Sequence, residues 1–173
     1  MTRQELKEKF IEYFGEEKWC EEEMLADVFE FELYVCKHLN IDPIPIVIDE
    51  MDEDSRYYME EDYIAISKKC IKDKLESCKC LAHEFRHKFQ KYVIDNDIKD
   101  VTRERWEASY YNPYVVTDVN SPEQLIKYIC SPVEMDAFAF QRFIVNKYFD
   151  TDIEIYGFEY TMFLDFYIME YFE

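Results

Sequence analysis

Glycine occurs only twice in this chain of 173 residues, at Gly15 and Gly157, and proline occurs five times. Because glycine most easily adopts the left-handed backbone of tight turns, its scarcity favours helices joined by short connections. Hydrophobic residues make up 49% of the sequence and aromatic residues 18%, which is enough to build a core. We therefore predict one compact domain over 1–173, since a chain of this length rarely divides further.

Apolar residues recur at helical spacing in several segments. Thr2 and Glu5 have the spacing of a capping box before a first helix that ends near Gly15. Two Ser-Pro pairs, beginning at Ser121 and Ser131, have the N-cap hydroxyl and first-turn proline of helix starts. We predict a helical segment over about 1–40, which includes a helix over 21–39. A sheet and a long helix (72–95) follow within about 44–95. Further helices lie over about 121–172, among them 131–149 and 158–172.

Short segments with strand character lie between the first helices and the long one. They are IPIVID (44–49), RYYM (56–59) and DYIAIS (62–67). They predict a small antiparallel β-sheet, so the fold class is α+β and mostly helical. Residues 96–120 show no clear period, which suggests a lid or a substrate-facing loop.

The charge balance limits the partners of the chain. It has 39 acidic and 20 basic side chains, a net charge of −19. This charge repels phosphate backbones and anionic lipids, so we predict no nucleic-acid and no membrane partner. No apolar run approaches the roughly 20 residues of a membrane helix, and the charged N-terminus lacks a signal-peptide core. A cytoplasmic location and a neutral or basic partner are expected.

The six cysteines are predicted to be reduced thiols, because no signal peptide points to an oxidising compartment. Cys78 and Cys80 form a C-x-C pair with Cys70 nearby, which is a weak indication of metal binding. Zinc sites usually contain C-x-x-C pairs, so ordinary buried cysteines are the favoured interpretation.

The segment CLAHEFRHKFQ (80–90) contains two of the three histidines in an H-E-x-x-H pattern. On a helix, His83 and His87 lie one turn apart and can bind one Zn²⁺ ion, while Glu84 can act as general base toward a water molecule. The alternative is a surface helix with incidental residues. The third histidine, His38, ends an earlier helix and is expected to be an ordinary surface residue.

A catalytic zinc ion needs a third protein ligand, and a downstream carboxylate is expected because no other histidine is suitably placed. Glu134 is our choice, since it begins a helix in which the small Ala137 allows close approach to the motif helix. Glu134 is also the third residue of the Ser131 cap and can bond its own backbone instead. Asp136 is the alternative ligand, or an outer partner of a histidine.

The two motifs together resemble the ImmA/IrrE-type metallopeptidases, a gluzincin-like family. LAHEFRH and Glu134-Met-Asp-Ala-Phe-Ala-Phe140 are similar to the family's LAHExxH and ExxA-containing helices over roughly 44–145. The resemblance implies a reduced zincin fold, His83, His87 and Glu134 as zinc ligands, and Glu84 as the base. Family members cleave intracellular proteins, often repressors in mobile elements or stress responses. Arg86 stands where the family usually has glycine, so its side chain needs space or a carboxylate partner.

The sequence thus predicts a zinc-dependent peptidase that acts on a specific intracellular protein or peptide, such as a repressor or regulator. A non-catalytic regulatory protein that retains the zinc site is the alternative. The reaction also calls for a group that stabilises the oxyanion, and the candidates in the irregular segment are Tyr110, Tyr111 and Tyr114.

Overall fold

The computed structural model describes residues 8, 11–12, 16–118 and 120–172, with side chains described from residue 25 within the first helix. The α+β, mostly helical fold is confirmed. The predicted capping box at Thr2 lies outside the described residues. The helices, numbered in chain order, are α1 (Glu16–Leu39), α2 (Lys74–Asp95), α3 (Arg103–Tyr111), α4 (Pro122–Ile129), α5 (Pro132–Phe149) and α6 (Phe158–Tyr171), with a short 3₁₀ turn at Cys70–Lys72 before α2.

The sheet is mixed, whereas the sequence predicted an antiparallel one. Its strands are β1 (Ile46–Asp49), β2 (Ser55–Tyr58) and β3 (Tyr63–Ser67), in the order β1-β3-β2. The β2–β3 pair is the predicted antiparallel hairpin, but β1 runs parallel to β3. The central strand β3 pairs on both sides and is buried from Ile64 to Ser67, whereas β1 and β2 are the edge strands.

The long helix α2 lies at the centre of the molecule. It packs against α5, α1, α3 and the β2 and β3 strands, and every residue from Cys80 to His87 is buried. Ala82 of α2 and Ala137 of α5 are fully buried, and small side chains of this kind let two helices approach closely. One hydrophobic cluster runs from Val28 of α1 through α2 to Leu164 of α6.

The segment over 96–120, for which the sequence predicted no regular element, contains helix α3. Its pattern is weak because one side chain anchors it: Trp106 is fully buried, while most of its neighbours are half-buried or exposed. The chain then continues without regular structure toward α4. Ser121 caps α4 as predicted, since its hydroxyl accepts a hydrogen bond from the Gln124 amide.

Asparagine and aspartate supply most of the left-handed turns that glycine would normally supply. Asn40, Asp62, Asp97 and Asp150 have φ angles of 50–53°, beside Tyr156 at 50° and Gly157 at 89°. Short polar side chains tolerate this region because they hydrogen-bond locally. Within the described residues, no helix has the length and apolar character required to cross a membrane.

Candidate metal centre

The two motif histidines face each other on α2. Their Nε2 atoms are 3.0 Å apart, and each residue is 9% exposed. Residues four apart on a helix lie on nearly the same side, about 40° apart around the axis. The start of α2 is fixed by Asp73, whose carboxylate accepts a hydrogen bond from the Glu76 amide.

Glu134, in the first turn of α5, points at both rings. Its Oε2 lies 3.2 Å from His83 Nε2, and its Oε1 lies 3.6 Å from His87 Nε2. The hydroxyl of Ser131 makes no N-cap hydrogen bond, so the predicted cap at this helix start is not formed. One donor atom of each of the three side chains lies within 4.8 Å of the others. This cluster can hold a metal ion.

The other predicted candidates lie outside this group. Cys70, Cys78 and Cys80 are buried free thiols. His38 lies in the last turn of α1. Over 16–118 and 120–172, His83, His87 and Glu134 form the single group of this kind.

Electrostatics couples the three side chains. Burial by itself lowers the pKa of His87, but the negative charge of nearby Glu134 outweighs burial and raises that pKa to about 9. Burial likewise raises the pKa of Glu134, yet the two histidines outweigh it and hold this pKa far below its usual range. Without a metal, the site therefore holds an ion pair, and a cation that binds there replaces the proton of His87.

Gln90 orients His87. The Gln90 Oε1 atom lies 3.0 Å from His87 Nδ1 and accepts a hydrogen bond from the Tyr110 hydroxyl at 3.1 Å. Its Nε2 donates to the Val133 carbonyl at 2.9 Å and to Asp136 at 2.7 Å. An acceptor at Nδ1 places the proton there and leaves Nε2 free for a metal. His83 has no such partner on Nδ1 among the described residues, and its ring packs on Phe138.

Arg86 has the carboxylate partner that its position requires. Its Nε and Nη2 donate to Asp136 at 2.7 and 3.0 Å, and both side chains are buried. Asp136 also accepts hydrogen bonds from Gln90 and from the Tyr167 hydroxyl. Asp136 is therefore not in the metal cluster, and it reaches His87 only through Gln90.

Aromatic rings enclose the guanidinium of Arg86. Its central carbon lies 4.7–5.3 Å from the ring centroids of Phe89, Phe172, Phe140 and Trp106. Rings at this distance attract a cation through their π faces. The cation of Arg86 thereby joins α2 to Asp136 and Phe140 of α5 and to Phe172 at the end of α6.

Glu84 connects α2 to the edge of the sheet. Its Oε1 accepts a hydrogen bond from the Ser55 hydroxyl and its Oε2 accepts one from the Tyr57 amide, both at 2.7 Å. The residue is 6% exposed. The Glu84 carboxylate thus accepts the hydrogen bond that the Tyr57 amide, on an edge strand, would otherwise give to water. The same contacts hold the carboxylate in place beside the metal cluster.

Two open cavities meet at this site, and both are bordered by His83, Glu84 and Tyr128. The larger, which we call the Leu125 cavity, has a volume of about 670 Å³ and contains apolar side chains from Met59, Pro113, Tyr114, Val116, Leu125 and Val133. The smaller, the Gln141 cavity, has a volume of about 450 Å³. It is bordered by Phe138, Ile155 and Tyr156 and by the charged and polar side chains of Glu53, Asp54, Glu76, Lys79, Gln141 and Glu154. Together the two cavities form a groove that passes over the cluster.

Two of the three tyrosines that the sequence suggested, Tyr110 and Tyr114, border the Leu125 cavity. Tyr110 positions Gln90, and Tyr111 is 76% exposed and outside the groove. Tyr128, which the sequence did not single out, borders both cavities. Burial raises its pKa, and the charge of Glu134 raises that pKa further. Its position three residues before Ser131 is the sole sequence signal that places it near Glu134.

Scans against protein-family models, curated proteins and solved structures found no match to this chain. The resemblance to the ImmA/IrrE-type metallopeptidases therefore depends on the two motifs themselves and stays a prediction.

Proposed function

We propose that this protein is a zinc-dependent peptidase. The observation that carries the proposal is the position of the His83, His87 and Glu134 cluster, at the floor of an open groove and beside Glu84. Two imidazole nitrogens and one carboxylate are a donor set of catalytic zinc, which needs three protein ligands and one open position. A purely structural zinc site would be closed by a fourth ligand, and no fourth donor joins the cluster among the described residues.

Each side chain has a role that follows from its place. Bound zinc would lower the pKa of a water molecule and polarise the carbonyl group of a peptide. His83, His87 and Glu134 would hold the ion, and Gln90 keeps the His87 proton on Nδ1. Glu84 is the proposed general base: it takes a proton from the attacking water and returns it to the leaving nitrogen. The hydroxyl of Tyr128, at the junction of the two cavities, is suited to stabilise the oxyanion.

The proposed substrate is an intracellular protein or peptide, such as a repressor or regulator. An open groove accepts an extended chain on both sides of the cluster. The net charge of −19 opposes a nucleic-acid substrate.

One observation favours a second candidate, a non-catalytic zinc-binding regulatory protein. Both oxygens of Glu84 accept hydrogen bonds from β2, so this residue also braces the contact between helix and sheet. If Glu84 serves only this contact, its presence does not require the protein to catalyse hydrolysis.

Metal analysis and a peptide-hydrolysis assay test the proposal together. We expect about one zinc ion per chain, loss of zinc in His83→Ala, and retention of zinc in Glu84→Gln. Loss of the base should lower the hydrolysis rate of Glu84→Gln by about 10²- to 10⁴-fold. Glu61→Gln removes an exposed carboxylate outside the groove and is the matched control. A zinc-free wild type contradicts both candidates, and a zinc-loaded protein that cleaves nothing favours the regulatory one.

A further inference from the structure

The Gln141 cavity contains a buried polar group without a partner. Gln141 projects from α5 and is 6% exposed, and no side chain or backbone group of the described residues hydrogen-bonds its amide. Both its amide oxygen and its amide nitrogen are accessible to solvent, so the amide faces the cavity. The amide is therefore open to water in the cavity, and a ligand group that hydrogen-bonds to it can take the place of that water.

The charges around this cavity have one predominant sign. The carboxylates of Glu53, Asp54, Glu76 and Glu154 border it together with a single cation, Lys79. Glu53 pairs with Arg56, and Glu76 pairs with Lys79. Glu154 has no ion-pair partner among the described residues. These carboxylates are exposed enough to turn toward a ligand, and together they attract positive charge into the cavity.

We propose that the Gln141 cavity binds a lysine or arginine side chain of the peptide substrate, beside the bond that is cut. This inference rests on the proposed peptidase function. The carbonyl oxygen of Gln141 accepts a hydrogen bond from the ammonium or guanidinium group, and Glu154 at the border of the same cavity supplies a negative charge that pairs with no cation of the described residues. The volume of about 450 Å³ accommodates either side chain. An apolar side chain would leave the Gln141 amide without a partner and would gain nothing from the carboxylates.

The other side of the groove has a different preference. The Leu125 cavity presents mainly apolar side chains next to His87 and Glu134. A substrate therefore places its basic side chain on the His83 side of the cluster and an apolar side chain on the opposite side. This asymmetry sets the direction in which the peptide crosses the site.

A binding experiment tests the cavity independently of catalysis. N-acetyl-lysinamide and N-acetyl-norleucinamide have similar shapes and differ in charge, and each is titrated into the zinc-loaded full chain while NMR follows the Gln141 side-chain amide. We expect the lysine probe to bind at least about fivefold more tightly, with half or less of that preference in Glu154→Gln, because one exposed carboxylate contributes about two- to fivefold. Glu61→Gln should keep the full preference. Equal binding of the two probes overturns the inference.

A cleavage experiment then connects the cavity to turnover. Cut sites in a random peptide mixture identify the preferred position, and matched lysine and norleucine peptides give the ratio of kcat/KM there. In Gln141→Leu we expect that ratio to fall about tenfold, the loss of one hydrogen bond to a charged group, while norleucine peptides are cut at least as fast. A fall for both peptides alike would overturn the inference. Lysine-selective binding without any cleavage would instead refute the peptidase and leave the binding site in place.

Discussion

Replacing Arg86 with methionine should strongly destabilise this protein, because it leaves a buried charge without its cation. The Arg86 side chain is 9% exposed and that of Asp136 is fully buried. Removal of one partner of a buried ion pair typically costs about 3–5 kcal/mol. Asp136 keeps its hydrogen bonds from Gln90 and Tyr167, and methionine fills part of the space between the aromatic rings. We therefore expect Arg86→Met to lower the unfolding free energy by about 3 kcal/mol, the lower end of that range.

A double-mutant cycle measures the interaction itself. Urea unfolding of metal-free protein is compared for the wild type, Arg86→Met, Asp136→Asn and the double variant. Once the arginine is absent, loss of the charge on Asp136 should relieve part of the damage, so we expect a coupling energy of about 2 kcal/mol. Additive effects, or a loss below about 1 kcal/mol in Arg86→Met, would refute the reasoning that this pair fixes α2 to α5.

The same pair should control metal affinity, because Asp136 holds Gln90 and Gln90 holds His87. Loss of such an outer partner typically lowers metal affinity about 10- to 100-fold, and we expect this range for Arg86→Met in a competition assay with a chromophoric chelator. Arg142→Met is the matched control: Arg142 is 6% exposed and pairs with Asp165, but it has no contact with the metal cluster. It should unfold more easily and still bind zinc normally. Equal zinc losses in both variants would mean that general destabilisation is the cause.

Three further predictions concern single groups. Gln90→Leu removes the acceptor at His87 Nδ1 and should lower zinc affinity about 10- to 100-fold in the same chelator assay. In metal-free protein the pKa of His87 is raised from 6.5 to about 9, so its stabilising charge is fully present below 6.5 and is lost as the pH rises through 9. Urea unfolding should thus show a decline of up to about 3 kcal/mol between about pH 7 and 10 that His87→Gln lacks. Ser121→Ala should cost about 1 kcal/mol in unfolding free energy and Ser131→Ala much less, because only Ser121 caps its helix.

The parts of the fold that the sequence predicted well are those with a local pattern. The apolar stripe of α2 and the Ser-Pro start of α5 each depend on residues within a few positions of one another. The close approach of Glu134 to His83 agrees with the two motifs taken together. Helix α3 was missed because its anchor is one tryptophan, and a single buried side chain gives no periodicity.

The interactions that the sequence could not reveal are long-range choices of partner. Arg86 and Asp136 are 50 positions apart, and other carboxylates were available. The parallel pairing of β1 with β3 also depends on long-range packing. The sequence predicts each strand locally, but packing decides which strands pair with one another. The contact between Gln90 and His87 could have been predicted more easily, because residues three apart lie on neighbouring sides of the same helix.

The consecutive residues of the motif serve different sides of one helix. Successive side chains are about 100° apart, so His83 and His87 share one side while Glu84 and Arg86 turn to either side of it. Glu84 reaches β2 and Arg86 reaches α5 and α6, which places a separate anchor on each side of the histidines. A glycine at position 86 would leave one of these sides without an anchor. The arginine therefore does not conflict with a metal site, and it helps to fix the histidines that would hold the metal.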